Sequence, residues 1–136
     1  NYNYESTNDY SAVYLISMRD FSMLMMGDAE SKAEKCIIRD VKKSGGGLDP
    51  SGINVLKTGH HGSRGASSEE FIKLVKPETA LISCGIDNSY GHPHKETLQR
   101  FTDAGTKVYR TDECGEIMVR VWNGSYETEV FKERKK

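Results

Sequence analysis

All four histidines of this 136-residue chain fall in two short clusters, His60-His61 and His92-Pro93-His94. The first closes the run INVLKTGHHGS at residues 53–63, where alternating apolar residues stop abruptly at the imidazoles. Imidazole is a base, a proton carrier and a metal ligand. Two of them at a strand end lie where open α/β folds keep their ligands. The flanking Gly59 and Gly62 admit backbone, metal or substrate at close range. Two surface histidines on a loop are the plain alternative, and for an isolated pair the better one. A carboxylate changes the balance, because Asp28 stands just past the apolar run FSMLMM at 21–26, after Gly27. Aspartate there is either a ligand or the cap of a following helix, and sequence does not separate the two. Carboxylate with imidazole suits zinc, manganese or iron. No thiolate is placed to join them: Cys36, Cys84 and Cys114 are widely spaced, form no CxxC and read as ordinary thiols.

The elements that position these groups follow from periodicity. Residues 11–18 (SAVYLISM) and 21–26 read as an apolar hairpin turning at Arg19-Asp20. Residues 29–43 read as a helix that buries Ala33, Ile37 and Val41, four apart, with Ile38 beside them, and turns Glu34 and Lys35 to solvent. The glycine run of 44–52 lacks the Lys-Ser/Thr ending of a phosphate loop and follows a helix, so it reads as a flexible connection. After the strand at 53–57, Ser67 and Glu70 have capping-box spacing at the start of a short helix that buries Phe71, Leu74 and Val75 and stops at Pro77. Residues 79–84 form another apolar strand, 85–91 its exit loop, and Pro93 suits the first turn of a helix that buries Leu98 and Phe101 and ends at Gly105. Strands at 107–110 and 116–122, the Asn123-Gly124 turn and a returning strand at 126–131 complete the order. Alternating strands and helices predict an α/β layered domain with its helices on one side of the β layer. Three strand ends then carry Asp28, the His60-His61 pair and the loop to His92.

Composition narrows the partners. A net charge of −1 gives no overall electrostatic footprint for nucleic acid or an anionic membrane. The polar, tyrosine-rich start at 1–9 reads as a frayed entry and the basic tail at 132–136 as a solvated end. No apolar run reaches membrane-spanning length and no signal-peptide pattern opens the chain, so this segment makes no membrane contact and any export signal or anchor would lie outside it.

Six segments, in order, carry a resemblance: 8–11 (NDYS), 26–30 (MGDAE), 55–63 (VLKTGHHGS), 77–84 (PETALISC), 88–94 (NSYGHPH) and 110–115 (RTDECG). Together they resemble the metallo-β-lactamase-fold domain of the ComEC competence-protein family and its free-standing relatives. LKTGHHGS and the N-x-x-G-H-P-H run are its specific parts, and it covers nearly the whole chain. The resemblance implies an αββα sandwich, of which residues 1–136 form one partial domain, the C-terminal half. The family's HxHxDH motif, which supplies most ligands of a two-metal site, has no counterpart among the four histidines here. The chain therefore reads as beginning after that motif.

Site roles are implied by the same resemblance. Asp28 matches the aspartate that bridges two divalent ions, zinc or manganese. His61 matches a metal ligand and His60 the neighbour that meets the scissile phosphate, with the reverse assignment open. Glu30 orients substrate or a water, or is a favourable charge at a helix N-terminus. Ser63 bonds a phosphate oxygen or closes the turn. His92 and His94 stand on the cleft rim toward substrate, with helix capping and solvent exposure as their alternatives. Asn8 and Ser11 hold backbone near Asp28. The implied activity is metal-assisted hydrolysis of a phosphodiester: DNA during competence and uptake, or another phosphoester such as phosphorylcholine on cell-wall polymers. The implied setting is extracytoplasmic, at a bacterial surface or secreted. Adjacent side chains at a strand end point to opposite faces, which leaves Asp28 and one histidine as ligands. Little or no metal and no useful hydrolysis are expected of this chain alone. Surplus apolar residues in 11–26 predict a contact with the missing N-terminal half or a second chain. A non-catalytic nucleic-acid-binding or scaffold module derived from the same fold is the alternative.

Overall fold

Strand register turns the alternation of apolar residues into layers. The computed structural model describes residues 6–43 and 50–132; the glycine run, the first residues of the polar start and the tail beyond Lys132 lie outside the described residues. A 3₁₀ turn, Thr7–Tyr10, leads into β1 (Tyr14–Met18), which pairs antiparallel with β2 (Phe21–Met25). Then come α1 (Ser31–Lys43), β3 (Val55–Lys57), a tight turn Gly59–Gly62, α2 (Glu69–Val75), β4 (Thr79–Ile82), α3 (Lys95–Asp103), β5 (Lys107–Arg110), the short α4 (Thr111–Cys114) and a hairpin of β6 (Glu116–Trp122) and β7 (Ser125–Phe131). The main sheet runs β1-β2-β3-β4-β5, with β2 to β5 parallel. This is the mixed α/β architecture that the alternation predicts.

Opposed residues share a face. The row Leu24–Leu56–Ala80–Val108 faces the helices. There it packs with Ala33 and Ile38 of α1, Phe71, Ile72 and Val75 of α2, and Phe101 of α3. The rows on either side of it face the other way, where Phe21, Val55 and Leu81 meet Ile117, Val119, Val121 and Tyr126 of the β6–β7 hairpin. All three longer helices thus lie on one face of the sheet, as read from the sequence. The hairpin covers only part of the opposite face. Tyr14, Ile16, Met18 and Met25 share that face by register and remain exposed, Tyr14 to 62%. Among the described residues no helix is long and apolar enough to cross a membrane.

Four local readings are corrected. Helix α1 begins at Ser31 rather than 29, and Glu34, read as solvent-facing, is only 1% exposed. The N-cap of α2 is Ser68, whose hydroxyl accepts from the Phe71 amide at 3.4 Å. Ser67 fails as the cap because its own amide is drawn to the buried Glu34 carboxylate and its backbone turns left-handed, φ 54°. Finally, α3 starts after Pro93: the His94 amide is held by the Gly62 carbonyl at 3.0 Å, so His94 takes the N-cap position and His92 caps nothing.

Candidate active site

Because β2, β3 and β4 run parallel, their C-terminal ends lie side by side, and the residues just beyond them converge. Backbone contacts lock that convergence. The His60 amide donates to the Gly27 carbonyl at 3.0 Å, and the Asp28 amide donates to Ser11 Oγ at 3.0 Å. A Cβ at Gly59 would stand 2.2 Å from the Ala29 carbonyl oxygen, so only glycine lets the two loops touch. His60 (φ 42°), His61 (φ 53°) and Gly62 (φ 78°) are all left-handed. For each non-glycine residue that conformation costs about 1–2 kcal/mol. The expectation that adjacent side chains point to opposite faces does not apply to such a turn. The two rings are neighbours, 6.2 Å apart between centroids, and are separated by their partners instead.

His61 turns to Asp28. Its Nδ1 lies 2.7 Å from the Ser83 carbonyl oxygen, which can only accept, so Nδ1 carries the hydrogen. Nε2 then faces Asp28 Oδ1 at 3.6 Å. A lone pair opposite a carboxylate is unfavourable unless a proton or a cation lies between them. Two ligand bonds of about 2.1 Å at a tetrahedral angle put donor atoms about 3.4 Å apart, so the pair fits one shared divalent ion. Both side chains are about half exposed, 49% and 47%, which leaves the remaining coordination positions open. Asp28 precedes α1 without capping it. Among the described residues, no group of three or more His, Cys, Asp or Glu side chains is gathered for one ion.

His60 turns to Glu30. Its Nδ1 lies 2.9 Å from Glu30 Oε1, the same oxygen that accepts the Ser63 hydroxyl at 3.0 Å. Asn8 Nδ2 is also near that ring nitrogen, at 3.2 Å. The single hydrogen on Nδ1 goes to the carboxylate, because a charge-assisted bond is the stronger one. Ser63 is buried, its hydrogen used on Glu30 and its oxygen accepting the Gly65 amide at 3.2 Å. Ser11 holds backbone at Asp28, whereas Asn8 faces the His60 ring.

His92 and His94 close the cluster, with ring centroids 4.9 Å apart and His92 5.3 Å from His60. His94 Nδ1 accepts the Arg64 amide at 3.1 Å. Asn88 grips the His92 backbone twice, donating to its carbonyl at 2.6 Å and accepting its amide at 2.9 Å. Burial, then the neighbouring His60, His94 and His61 rings, hold the His92 pKa below the ordinary range, with Glu30 opposing. Tyr90 stacks on His92 at the mouth of a cavity of about 190 Å³ that His61 and Cys84 also line. Burial lowers the Lys57 ammonium pKa, opposed by the charges of Asp28 and Cys84.

The sequence reading missed the clamp behind the turn. Glu34 accepts the amides of Ser67 and Ser68. Arg100 donates to the carbonyls of Arg64, Ala66 and Ser67 at 2.7–2.8 Å. Burial pushes the Glu34 carboxyl up, while the Ser68 and Ser67 hydrogen bonds and Arg100 oppose it. A signal for Glu34 existed: it stands four residues before Ile38, on the buried stripe, and residue type overrode spacing.

No family model matches this chain. It is 36% identical over 121 residues, 87% of its length, to ComE operon protein 3 of Bacillus subtilis. It is 32% identical over 120 residues (88%) to Recombination protein 2 of Haemophilus influenzae, and 34% identical over 125 residues (92%) to Competence protein ComA of Neisseria gonorrhoeae. The chain spans 14–17% of the length of these curated relatives, so it is homologous to one segment of each.

Proposed function

We propose that this chain forms the C-terminal part of a metal-dependent phosphodiesterase of metallo-β-lactamase type that acts on DNA in competence. The observation that carries the reading is the Asp28–His61 pair, 3.6 Å apart at the ends of parallel strands with the His61 tautomer fixed by Ser83. Similarity to a competence protein and a recombination protein supports DNA as substrate. The uncovered sheet face supports the sandwich: a second sheet, from an N-terminal half or another chain, would rest on Tyr14, Ile16, Met18 and Met25.

A divalent ion, zinc or manganese, supplies when bound an acidified water and charge neutralisation of phosphoryl oxygens. Asp28 and His61 Nε2 are its holders in this chain, and the Ser83 carbonyl keeps the imidazole aimed. His60, with Nδ1–H committed to Glu30, offers Nε2 to the phosphate. Protonated there, it donates to a phosphate or leaving oxygen while Glu30 stabilises the imidazolium. Ser63 acts through Glu30 rather than on the phosphate, since its hydrogen is already used. His92, His94 and the exposed Arg64 form the rim along which the substrate runs. The test is turnover of an oligonucleotide and of bis(p-nitrophenyl) phosphate by the full-length protein. The reading expects hydrolysis with added manganese or zinc, none with chelator, and none in His61→Ala. DNA binding unaffected by chelator, without turnover under any metal, would favour the non-catalytic module instead.

A further inference from the structure

We infer that Thr111 is a positioning residue for His61. Its hydroxyl holds the Ser83–Cys84 peptide, and the carbonyl on the other edge of that peptide aims the imidazole at Asp28. The inference rests on the Asp28–His61 reading for why that aim matters, and it gives a role to the segment 110–115, which the site as described does not use. The Ser83 carbonyl accepts His61 Nδ1–H at 2.7 Å. Ser83 is exposed and lies just past the end of β4 at Ile82, so the pairing of β4 with β5 no longer holds this peptide. Thr111 takes over where β5 turns into α4. Its Oγ1 lies 2.8 Å from the Cys84 amide nitrogen and 2.7 Å from the Cys84 carbonyl oxygen. A hydroxyl has one hydrogen and two lone pairs, so it accepts from the first and donates to the second. The peptide bond is planar and trans, so Cys84 N–H and Ser83 C=O leave opposite edges of one rigid unit. Fixing the N–H on Thr111 therefore fixes the carbonyl on His61.

Arg110 and Asp112 brace the same unit. Cys84 Sγ lies 3.1 Å from Asp112 Oδ1, and the Arg110 guanidinium grips both oxygens of that carboxylate, at 3.1 and 2.6 Å. The hydrogen bond from Arg110 holds the Asp112 carboxyl below the ordinary range, and burial holds the Cys84 thiol above it, so the carboxylate accepts and the thiol donates. What the Thr111 hydroxyl prevents is a flip of the peptide. Turned over, the unit would present Cys84 N–H to His61 in place of the carbonyl. Nδ1 would then accept, and the ring hydrogen would move to Nε2. An N–H would stand where the site needs a lone pair for a cation. Thr111 itself touches no reacting atom and acts only through this peptide.

The test is the nitrogen-15 spectrum of the His61 ring in the 136-residue chain, at a pH where the imidazole is neutral, for the native protein, Thr111→Val, Thr111→Ser and Thr106→Val. Thr106 is the control: its buried hydroxyl also donates to a backbone carbonyl, that of Pro77 at 2.9 Å, but at the opposite end of β5. In the native chain and in Thr111→Ser, His61 should carry its hydrogen on Nδ1. In Thr111→Val the hydrogen should move largely to Nε2. Zinc should then bind about tenfold more weakly, the low end of the loss that follows removal of a partner from a ligating histidine. Thr106→Val should lower the melting point and leave the His61 ring unchanged. Should circular dichroism show that Thr111→Val does not fold, Thr111→Ala removes the hydroxyl without pressing a methyl on the polar peptide edge and carries the same comparison. The role is overturned if a folded chain lacking the Thr111 hydroxyl keeps the His61 hydrogen on Nδ1. It is also overturned if Thr106→Val shifts His61 equally, or if native His61 carries its hydrogen on Nε2. The tautomer is read without metal, so zinc that moves no histidine of the native chain counts against the shared-cation reading and not against this role.

Discussion

The two histidine loops of this protein are built on opposite terms. The loop after β3 has its backbone held along its length: Gly59 is pressed on Ala29, Gly62 on Pro93, His60 is tied to Glu30, and Glu34 and Arg100 hold the backbone that follows. It accepts left-handed histidines to reach that state. The loop after β4 has its own Asn88 pin, and it shows Ile86 and Tyr90 to solvent. Close backbone packing and saturated hydrogen bonding appear where two side chains must meet within a fraction of an ångström. Exposure appears where a larger molecule would arrive. The difference assigns geometry to the first loop and contact to the second.

The comparison breaks most visibly at Asp28. In the full-length protein, Asp28→Ala should drop hydrolysis to background while unfolding free energy changes by less than the roughly 1 kcal/mol of a lost helix cap. Turnover and melting on the same preparation decide it, and surviving activity with a lowered melting point would mean that Asp28 is structural. Glycine substitutions then sharpen the contrast between loops. Gly59→Ala should cost about 3 kcal/mol by overpacking against Ala29, whereas Gly85→Ala, whose nearest neighbour is 4.0 Å away, should stay within about 0.5 kcal/mol in denaturant titration. Equal costs would show that the first loop is no more tightly fitted than the second.

Glu34→Ala leaves the Ser67 and Ser68 amides without their acceptor and should cost about 1–3 kcal/mol. Its pH dependence has a definite sign. Burial raises the Glu34 carboxyl, so the folded chain holds that proton more tightly than the unfolded chain does. The associated stability is complete below the ordinary glutamate range and is lost as pH rises through the folded value. The stability advantage of the native protein over Glu34→Gln should therefore shrink with rising pH across the carboxylate range, and a growing advantage would reverse the assignment. A modest effect belongs to the second loop: Asn88→Ala should cost about 1 kcal/mol. It should alter the chemical shifts of His92 and leave those of His60 and His61 in place.

Much of this was legible in the residues. Apolar runs bounded by turns, with alternation at 53–57, located the strands, and stripes such as Ala33–Ile37–Val41 located the helices. The convergence of Asp28, His60 and His92 at strand ends followed from parallel topology. What stayed hidden depends on tertiary contact. A left-handed histidine looks like any histidine, so His60 and His61 read as strand-like neighbours until Gly27 and Gly62 show how the turn is held. Glu34 looked solvent-facing because a lone buried carboxylate is costly. Its compensation comes from Ser67, Ser68 and Arg100, all distant in sequence. Ser67 lost its place as a helix cap for the same reason. Ser63 read equally well as a phosphate contact, and only the position of Glu30 shows where its hydrogen goes.

The central claim is that Asp28 and His61 hold one cation between them. Nitrogen-15 spectra of the histidine rings, recorded while zinc is titrated in excess into this chain, test it most directly. The account predicts that His61 carries its hydrogen on Nδ1 before zinc is added. It further predicts that His61 Nε2 moves with zinc and that this response disappears in Asp28→Asn. If His92 or His94 responds in place of His61, or if the Asp28→Asn chain titrates like the native one, the pair is not the metal site.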